Sequence, residues 1–257
     1  MADNIVSQNK SAWEHRVYEW RVNHQGTPQI VAEDILTNPQ SHLRYHEKYF
    51  NEVNGKRIAS VCGSDGRRAV ALALLGAEAT VFDLSEPQKK YALELAKAAD
   101  VSIDYEVGDF CETDLKQFRE YFDYTYAEGG ILHYFFDLDK FFSVMHKILK
   151  PNGMMVLCDF HPFTRLLSAN GIQILDTTTA EADYFDNSIQ RGDVAYKQYF
   201  PENEHNSFPD CMGRRYTLSE IINACIKAGF VIHEFNEHPG WVNKKRPGEF
   251  TIVAIKY

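Results

Sequence analysis

Short apolar runs alternate with helical stretches along the middle of the chain, from Lys56 to Cys158. Each run is about four to six residues long and is bounded by polar or small residues, which is typical of a buried strand. Strands separated by helices predict parallel pairing, with right-handed crossovers and helices on both faces of one sheet. We predict five such strands, at 57–61, 79–82, 103–107, 122–127 and 154–158.

Capping signals mark the starts of the helices between and after these strands. Residues 67–75 are apolar nearly all round, as a buried helix requires. Ser85 precedes a glutamine by three positions and Thr217 precedes a glutamate by three, the spacing of a helix N-terminal cap. Asp137 opens a further helix, whose predicted inward face carries Phe141, Val144, Met145, Ile148 and Leu149.

The segment before the first strand is predicted to be helical. Ser11 and Glu14 have capping-box spacing, and Asn38-Pro39 breaks the helical pattern before a second helix over 43–50. On one face of the first helix we expect an aromatic stripe, which either covers a ligand or packs the helix on the body of the protein. The stripe comprises Trp13, Val17 and Trp20, with Tyr18 beside it.

Residues 161–215 interrupt the alternation of strands and helices. They are polar and aromatic, and we predict that they form an inserted lid with rings available for a pocket. Two final strands, at 230–235 and 250–256, are joined by a predicted loop over 236–249, which favours an antiparallel closing pair. The predicted division is a helical cap at 1–54, a core at 55–160, the lid at 161–215 and the end of the core at 216–257.

Charge and targeting signals narrow the class of protein. The chain of 257 residues has a formal net charge of -9, which opposes a phosphate polymer as partner. The first ten residues contain no apolar stretch of a signal peptide, and no apolar run approaches the length of a membrane span. The five cysteines include no Cys-x-x-Cys pair, as expected of thiols in a reducing compartment. We expect a cytoplasmic protein, monomeric or homodimeric, that binds neither nucleic acid nor membrane.

Candidate ligand-binding residues follow each predicted strand. Ligands of such a sheet lie beyond the carboxyl ends of its strands, where helix N-termini present free N–H groups. Asp83 lies near the position at which an acid binds two ribose hydroxyls, Asp109 can accept from an adenine amino group, and Phe110 can pack on the ring. The predicted nucleotide-binding residues are Cys62, Gly63, Ser64, Gly66, Asp83, Leu84, Asp109, Phe110, Glu128 and Gly129.

At these positions the sequence resembles the class I S-adenosylmethionine-dependent methyltransferases, in particular small-molecule enzymes of the ubiquinone-biosynthesis type. The resemblance is carried by IASVCGSDG, TVFDLSEPQKKYA, VGDF, the block from FDYTYAEGG to VLCDFHP, and YTLSEIINACIKAGF. It implies a doubly wound, mostly parallel seven-stranded α/β sheet with an antiparallel last strand, and S-adenosylmethionine as cofactor. It also implies that Glu128 lies near the cofactor or the methyl acceptor.

The first motif departs from the family pattern. An acid followed by three alternating glycines is usual there, whereas this chain has Ser60, Cys62, Ser64 and Gly66, with Gly63 displaced by one position. The departure affects the methionine end of the predicted cofactor site and leaves the ribose and adenine motifs intact.

Two histidines are candidates for a general base. His133 follows the fourth strand and His161 the fifth, and neutral imidazole is a suitable proton acceptor at pH 7. Glu128 is the third candidate catalytic residue. The alternative for each histidine is a structural hydrogen bond to loop backbone, and for Glu128 an ordinary exposed acid. Asp159 near these histidines lacks further ligands, so no metal site is predicted.

Two other functions remain open on the sequence. A nicotinamide-dependent oxidoreductase would need a better glycine-rich turn, and the chain has no Tyr-x-x-x-Lys signature. A catalytically silent cofactor-binding or partner subunit would have its acceptor cavity filled by apolar side chains. The sequence does not identify the acceptor or its reacting atom.

Overall fold

One seven-stranded sheet organises the chain. The computed structural model describes residues 2–167, 173–175 and 183–257, so parts of the predicted lid, at 168–172 and 176–182, lie outside the described residues. The strands are β1 (Arg57–Val61), β2 (Glu78–Asp83), β3 (Asp104–Val107), β4 (Phe122–Glu128), β5 (Leu149–Phe160), β6 (Ile189–Gly192), β7 (Cys211–Arg214), β8 (Phe230–Pro239) and β9 (Pro247–Lys256).

The order of strands in this sheet is β3-β2-β1-β4-β5-β9-β8, and β6 pairs with β7 separately. The first five strands run parallel to one another, whereas β9 runs antiparallel to both β5 and β8. The predicted fold, a doubly wound and mostly parallel sheet with an antiparallel final strand, is therefore confirmed.

Helices cover both faces of the sheet, as the alternating pattern predicts. On one face α3, α4 and α5 pack over Ile58, Val81, Tyr126 and Val156. On the other face α7 and α8 pack over the next residue of each strand, because side chains alternate along a strand. The helices are α1 (Ala2–Glu14), α2 (Val17–His24), α3 (Pro28–Thr37), α4 (Arg67–Leu74), α5 (Glu86–Ala98), α6 (Leu115–Phe118), α7 (Leu138–Ile148) and α8 (Leu218–Lys227).

A third cluster joins the N-terminal helices to the inserted segment. Tyr196 is buried in it, with its hydroxyl 2.9 Å from the carbonyl oxygen of Ala12 and 2.8 Å from that of His15. The buried side chain of Asn9 pairs with the backbone of Met212 in both directions, at 2.9 and 2.7 Å. The two segments therefore form one cover, although they are far apart in sequence. The cluster comprises Ala12, Val17, Val194, Tyr196, Phe200, Phe208 and Cys211, with Trp13, Trp20 and Tyr134 packed against it.

Three of the predicted caps are present. Ser85 accepts from the N–H of Gln88, Asp137 accepts from that of Lys140, and Thr217 forms a complete capping box with Glu220. The capping box predicted at Ser11 is wrong, because Ser11 lies in the last turn of α1 and its carbonyl accepts from His15. The chain then turns at Arg16, in the left-handed region with φ of 54°, so Trp13 and Trp20 lie on two helices.

Two further boundaries differ from prediction. The predicted loop over 236–249 is wrong, since β8 and β9 stay paired to Pro239 and Pro247 and only 240–246 connects them. β8 is an edge strand and therefore accepts the polar residues that suggested a loop. The predicted helix at 43–50 is a 3-10 stretch over 39–49, interrupted at Arg44, where φ is 55° and ψ is -132°.

No helix within the described ranges combines the length and the apolar character that crossing a bilayer requires.

The packing of α7 gives a test of the core. Met145 is fully buried against the sheet. Met145→Ala should lower the free energy of unfolding by about 2–5 kcal/mol, because the substitution removes buried apolar atoms and leaves a cavity. Chemical denaturation measures this, with Lys147→Ala on the exposed side of the same helix as control, expected within about 0.5 kcal/mol of the parent. Equal loss in both variants would contradict the assigned face of α7.

Candidate functional site

A large cavity lies beyond the carboxyl ends of β1, β2, β3 and β4. Its volume is about 520 Å³, within the usual range of small-molecule sites. Gly63 and Gly66 are absent from its lining and lie behind it in the turn after β1. The predicted binding residues that line this larger cavity are Cys62, Ser64, Asp83, Leu84, Asp109, Phe110, Glu128 and Gly129.

Asp83 is held in the larger cavity by backbone N–H groups. One carboxylate oxygen accepts from Ser64 at 3.0 Å and the other from Ser85 at 3.1 Å. Burial raises the pKa of Asp83 to about 6, although these N–H groups oppose the shift. Each oxygen keeps a further acceptor position, so the carboxylate can bind two hydroxyl groups.

The turn after β1 contains Cys62 and Ser64, where the family pattern has glycine, and the displaced Gly63. Cys62 and Ser64 have φ of 52°, in the left-handed region where glycine is favoured, so the side chains at these positions impose local strain. At Gly63, a Cβ atom would lie 2.6 Å from the Ser60 hydroxyl and 2.9 Å from Val81. Gly63 is therefore required by packing against β1 and β2.

The adenine-side residues line the same cavity. One carboxylate oxygen of Asp109 accepts from the N–H of Cys111 at 2.9 Å, which leaves its other oxygen available. Phe110 is buried edge-on against Phe82 and Phe141, so it forms a fixed wall of the cavity. A Cβ atom added at Gly129 would meet nothing described within 4 Å, so a ligand can approach the backbone there.

Arg21 was missed by the sequence analysis. It reaches from α2 to the turn after β1, where it donates to the Ser64 hydroxyl at 2.6 Å and pairs with Asp65 at 3.0 Å. It also donates to Gln88 at 3.2 Å, and both residues line the larger cavity. Burial opposes ionisation of Asp65, but the charge of Arg21 and neighbouring arginines lowers its pKa below the usual range. No local pattern marks Arg21 as a cavity residue, because Ser64, Asp65 and Gln88 all lie more than 40 residues away.

Glu128 is almost fully buried and bound by two arginines, so it is not an exposed acid. Arg68 donates to both of its oxygens, at 2.6 and 2.5 Å, and Arg44 donates at 2.7 Å. The hydroxyl of Tyr126 donates at 2.5 Å. Burial raises the pKa of Glu128, but His46, Arg68 and Tyr126 outweigh it and hold the pKa well below its usual range. A carboxylate so stabilised is a weak proton acceptor.

Arg44 and Tyr45 both bind acidic side chains of the chain itself. Arg44 bridges Glu128 and Glu249, at 2.7 Å from each, and the Tyr45 hydroxyl also donates to Glu249. The strained backbone of Arg44 is therefore fixed by two ion pairs. Neither residue lines the larger cavity, whereas Arg68 and Arg21 do.

A second, smaller cavity of about 330 Å³ lies beside the first, beyond the ends of β4 and β5 and under the inserted segment. Both predicted histidines, His133 and His161, line it, together with Asp159. Tyr134 lines both cavities and stands between them, packed edge-on against Trp13.

Asp159 fixes the loop that carries His133 and Tyr134. It accepts from the N–H groups of Ile131 and Leu132, both at 2.8 Å, and from its neighbour Phe160 at 2.7 Å. Burial raises the pKa of Asp159 to about 6 against these donors. The loop after β4 is thereby tied to the end of β5.

The two histidines differ in what their ring nitrogens contact. In His161, Nδ1 accepts from the Phe163 N–H at 3.0 Å, whereas Nε2 lies 3.0 Å from a carboxylate oxygen of Glu237 without the alignment of a hydrogen bond. His133 makes no hydrogen bond to any part of the chain that the structure describes. Burial and the nearby charge of Arg215 lower the pKa of His133 to about 4. Of the two, His133 has the ring nitrogens available to a ligand.

The aromatic residues of the predicted lid do not surround the smaller cavity. Tyr196 and Tyr199 line the larger cavity, where Tyr196 stacks on Trp20 at 5.1 Å between ring centroids. Phe185 is exposed, and Phe200 packs in the third cluster. These rings pack on the N-terminal helices and border the larger cavity, and the aromatic acceptor pocket stays a prediction.

Among the described residues, one group of side chains has ligand atoms close enough for a metal ion, namely His46, Cys158 and His238, within 4.8 Å of one another. Hydrogen bonds already occupy it. The Thr251 hydroxyl lies 3.0 Å from Nε2 of His46 and 2.7 Å from Nε2 of His238, and Tyr126 takes the other nitrogen of His46. Burial raises the pKa of the Cys158 thiol, which disfavours the thiolate that a metal requires. Hydrogen bonding alone accounts for this group.

Comparison with known proteins matches residues 60–157 to a family model described as a methyltransferase domain. The uncharacterized methyltransferase YbaJ of Bacillus subtilis is 22% identical, over 92% of this chain and 91% of that protein. An S-adenosylmethionine-dependent methyltransferase from Mesorhizobium loti has a similar structure, with a TM-score of 0.60, 21% identity and coverage of 82% of this chain and 97% of that one.

A second similar structure is 1,6-didemethyltoxoflavin-N1-methyltransferase from Burkholderia thailandensis, solved with 1,6-didemethyltoxoflavin and S-adenosylhomocysteine. Its TM-score is 0.62 and its identity 14%, over 100% of this chain and 90% of that one. The narrower resemblance to ubiquinone-biosynthesis enzymes stays a prediction. Residues 60–157 thus match a methyltransferase domain, and the chain shares the fold of these methyltransferase structures.

Proposed function

We propose that this enzyme transfers a methyl group from S-adenosylmethionine to a small-molecule acceptor. The observation that carries the proposal is the pair of adjacent cavities, one at the ends of β1 to β4 and one at the ends of β4 and β5, which share Tyr134. A donor site and an acceptor site must adjoin for direct transfer, because aligning two reactants supplies much of the rate acceleration.

The residues of the larger cavity suit the cofactor. Asp83 offers two acceptor oxygens to ribose hydroxyls, and Asp109 offers one to an adenine amino group. Arg21 and Arg68 line the same space, where Asp65 and Glu128 hold them in position to donate to the cofactor carboxylate. When bound, S-adenosylmethionine supplies a methyl group activated by a sulfonium.

The chain's own groups then have separate roles. Asp83 and Asp109 orient the cofactor, and Glu128 holds Arg68 in place. Tyr134, with the loop tied by Asp159, lies between the two cavities. His133 is the proposed base where the acceptor carries a proton, since it lines the smaller cavity and its ring nitrogens make no hydrogen bond within the described chain. We assign His161 a positioning role, because Nδ1 accepts from the Phe163 N–H and Nε2 faces the Glu237 carboxylate.

A small acceptor is favoured by size and charge. The smaller cavity, at about 330 Å³, is at the low end of small-molecule sites. The formal charge of -9 opposes a nucleic-acid acceptor. The smaller cavity is open rather than filled by apolar side chains, and charged residues stand among those that line it, which disfavours a silent subunit.

The direct test is transfer of a labelled methyl group from S-adenosylmethionine to a panel of small molecules, with S-adenosylhomocysteine binding measured in parallel. We expect binding at one site and transfer to one class of acceptor. Binding without transfer to any acceptor would favour the silent subunit, and salt-sensitive binding of RNA or DNA would overturn the small-molecule assignment.

Cofactor binding should depend on the ionisation of Asp83. Its pKa of about 6 lies above the unfolded value, so the free protein loses stability as pH rises from about 4 to 6. The ionised form is the one that accepts hydroxyl groups strongly, so S-adenosylhomocysteine affinity should fall as pH decreases below about 6, by up to about tenfold per unit. Isothermal titration calorimetry between pH 5 and 8 measures this.

Asp83→Ala should weaken that affinity by roughly 1.5–3 kcal/mol at pH 7.5 and flatten its pH dependence. The variant also shows whether the pH dependence comes from Asp83 or from Asp159, whose pKa is likewise about 6. Asp104→Ala, an exposed carboxylate at the start of β3, is the matched control and should leave binding unchanged. A folded Asp83→Ala protein with full affinity would remove Asp83 from the site.

Turnover should depend on His133 more than on His161. His133→Ala removes the proposed base and should lower kcat by about 10²- to 10⁴-fold on an acceptor that must lose a proton. S-adenosylhomocysteine affinity should stay near the parent value, because His133 lines the smaller cavity and is absent from the lining of the larger one.

His233→Ala, an exposed histidine on β8, is the control for losing an imidazole. Because the pKa of His133 is about 4, titration of this residue should cause no change in kcat between pH 5.5 and 8. Full turnover of His133→Ala on such an acceptor would show that alignment alone carries the reaction.

A further inference from the structure

The side chains that line the smaller cavity carry more positive charge than the neighbouring carboxylates neutralise. Three arginines line it, namely Arg165, Arg191 and Arg215. Arg191 pairs with Asp210. The other two form no ion pair with a carboxylate in the part of the chain that the structure describes.

Arg165 is buried, with 8% of its surface exposed. Its Nη1 donates to the carbonyl oxygen of Tyr184 at 2.6 Å, whereas its Nη2 is buried without a hydrogen-bond partner among the described residues. Leaving a buried charged donor unpaired is costly, so such groups are normally completed by a partner. Burial and the repulsion of Arg215 lower the pKa of Arg165 to about 10, so it remains charged at neutral pH.

Arg215 brings the second positive charge to the same cavity. Its neighbour Arg214 pairs with Glu220 at 2.7 Å and lies over the Tyr216 ring, whereas Arg215 has neither kind of partner in the described ranges. The chain therefore places two like charges at one confined space, where an anionic ligand would compensate them.

The acids that line or border the cavity do not supply that charge. Asp159 accepts three backbone N–H groups. Asp193 pairs with Lys197 at 2.7 Å. Glu237 lies against His161.

We infer that the methyl acceptor carries an anionic group, a carboxylate or a phosphate, which binds between Arg165 and Arg215 in the smaller cavity. Guanidinium groups bind both anions through paired N–H donors. The inference rests on the proposed function, and it adds the direction in which the acceptor lies in the smaller cavity. The anionic group lies at the Arg165 side, so the rest of the acceptor extends toward His133 and Tyr134 and hence toward the larger cavity.

The test uses the whole chain and two probes, inorganic phosphate and benzoate, each titrated at constant ionic strength with and without S-adenosylhomocysteine. Binding is followed by calorimetry and by the shift in Tm, because a ligand of the native state raises Tm. We expect one probe or both to bind saturably, and the stronger of the two identifies the anion. Equal Tm shifts from sodium chloride at the same ionic strength would overturn the inference.

Arg165→Gln and Arg215→Gln should each weaken the bound probe at least about tenfold, because each removes a charge-assisted contact. Arg119→Gln, an exposed arginine at the other end of the strands, makes the same charge change and should have no effect. Arg165→Gln should also leave Tm in chloride buffer unchanged or higher, since it removes a buried charge without a full set of partners, whereas a structural role would lower it.

Arg215 is exposed, so its variant should fold whatever happens to Arg165→Gln. Undiminished probe affinity in folded Arg215→Gln would overturn the inference. Failure of S-adenosylhomocysteine to bind would instead contradict the proposed function, because that ligand is measured at the larger cavity and in separate titrations.

Discussion

The parallel register of β1, β4 and β5 is the constraint on which the site depends. Val61 lies beside Ala127, and Ala127 beside Leu157, so the three strands end at one edge of the sheet. Glu128 and Asp159 are the first acids beyond that edge, and each organises its surroundings by accepting several hydrogen bonds. Asp159 ties one strand's loop to the next strand's end, which gives the two cavities a common, fixed wall.

The sequence was informative where chemistry follows directly on a periodic strand. Asp83, Asp109 and Gly129 were predicted because each comes at the end of an apolar run, and parallel runs bring their ends together. The helix caps at Ser85, Asp137 and Thr217 were predictable for a similar reason, since a cap involves residues only three positions apart.

Contacts between distant segments could not be predicted in this way. Arg21 reaches Ser64 and Asp65 only because α2 folds back over the turn, and nothing near Arg21 in the sequence indicates this. The polar end of β8 resembled a loop because an edge strand can expose its side chains. The histidines were located at the correct strand ends, but their difference in role depends on Phe163 and Glu237, which only the fold brings to His161.

The shared cluster around Tyr196 has a consequence for how molecules enter and leave. α1 and the inserted segment are bonded to each other through Asn9 and Met212, and their residues contribute to the walls of both cavities. A displacement of either segment would therefore carry the other with it. Access to the two cavities is therefore coupled, because one bonded pair of segments contributes walls to both.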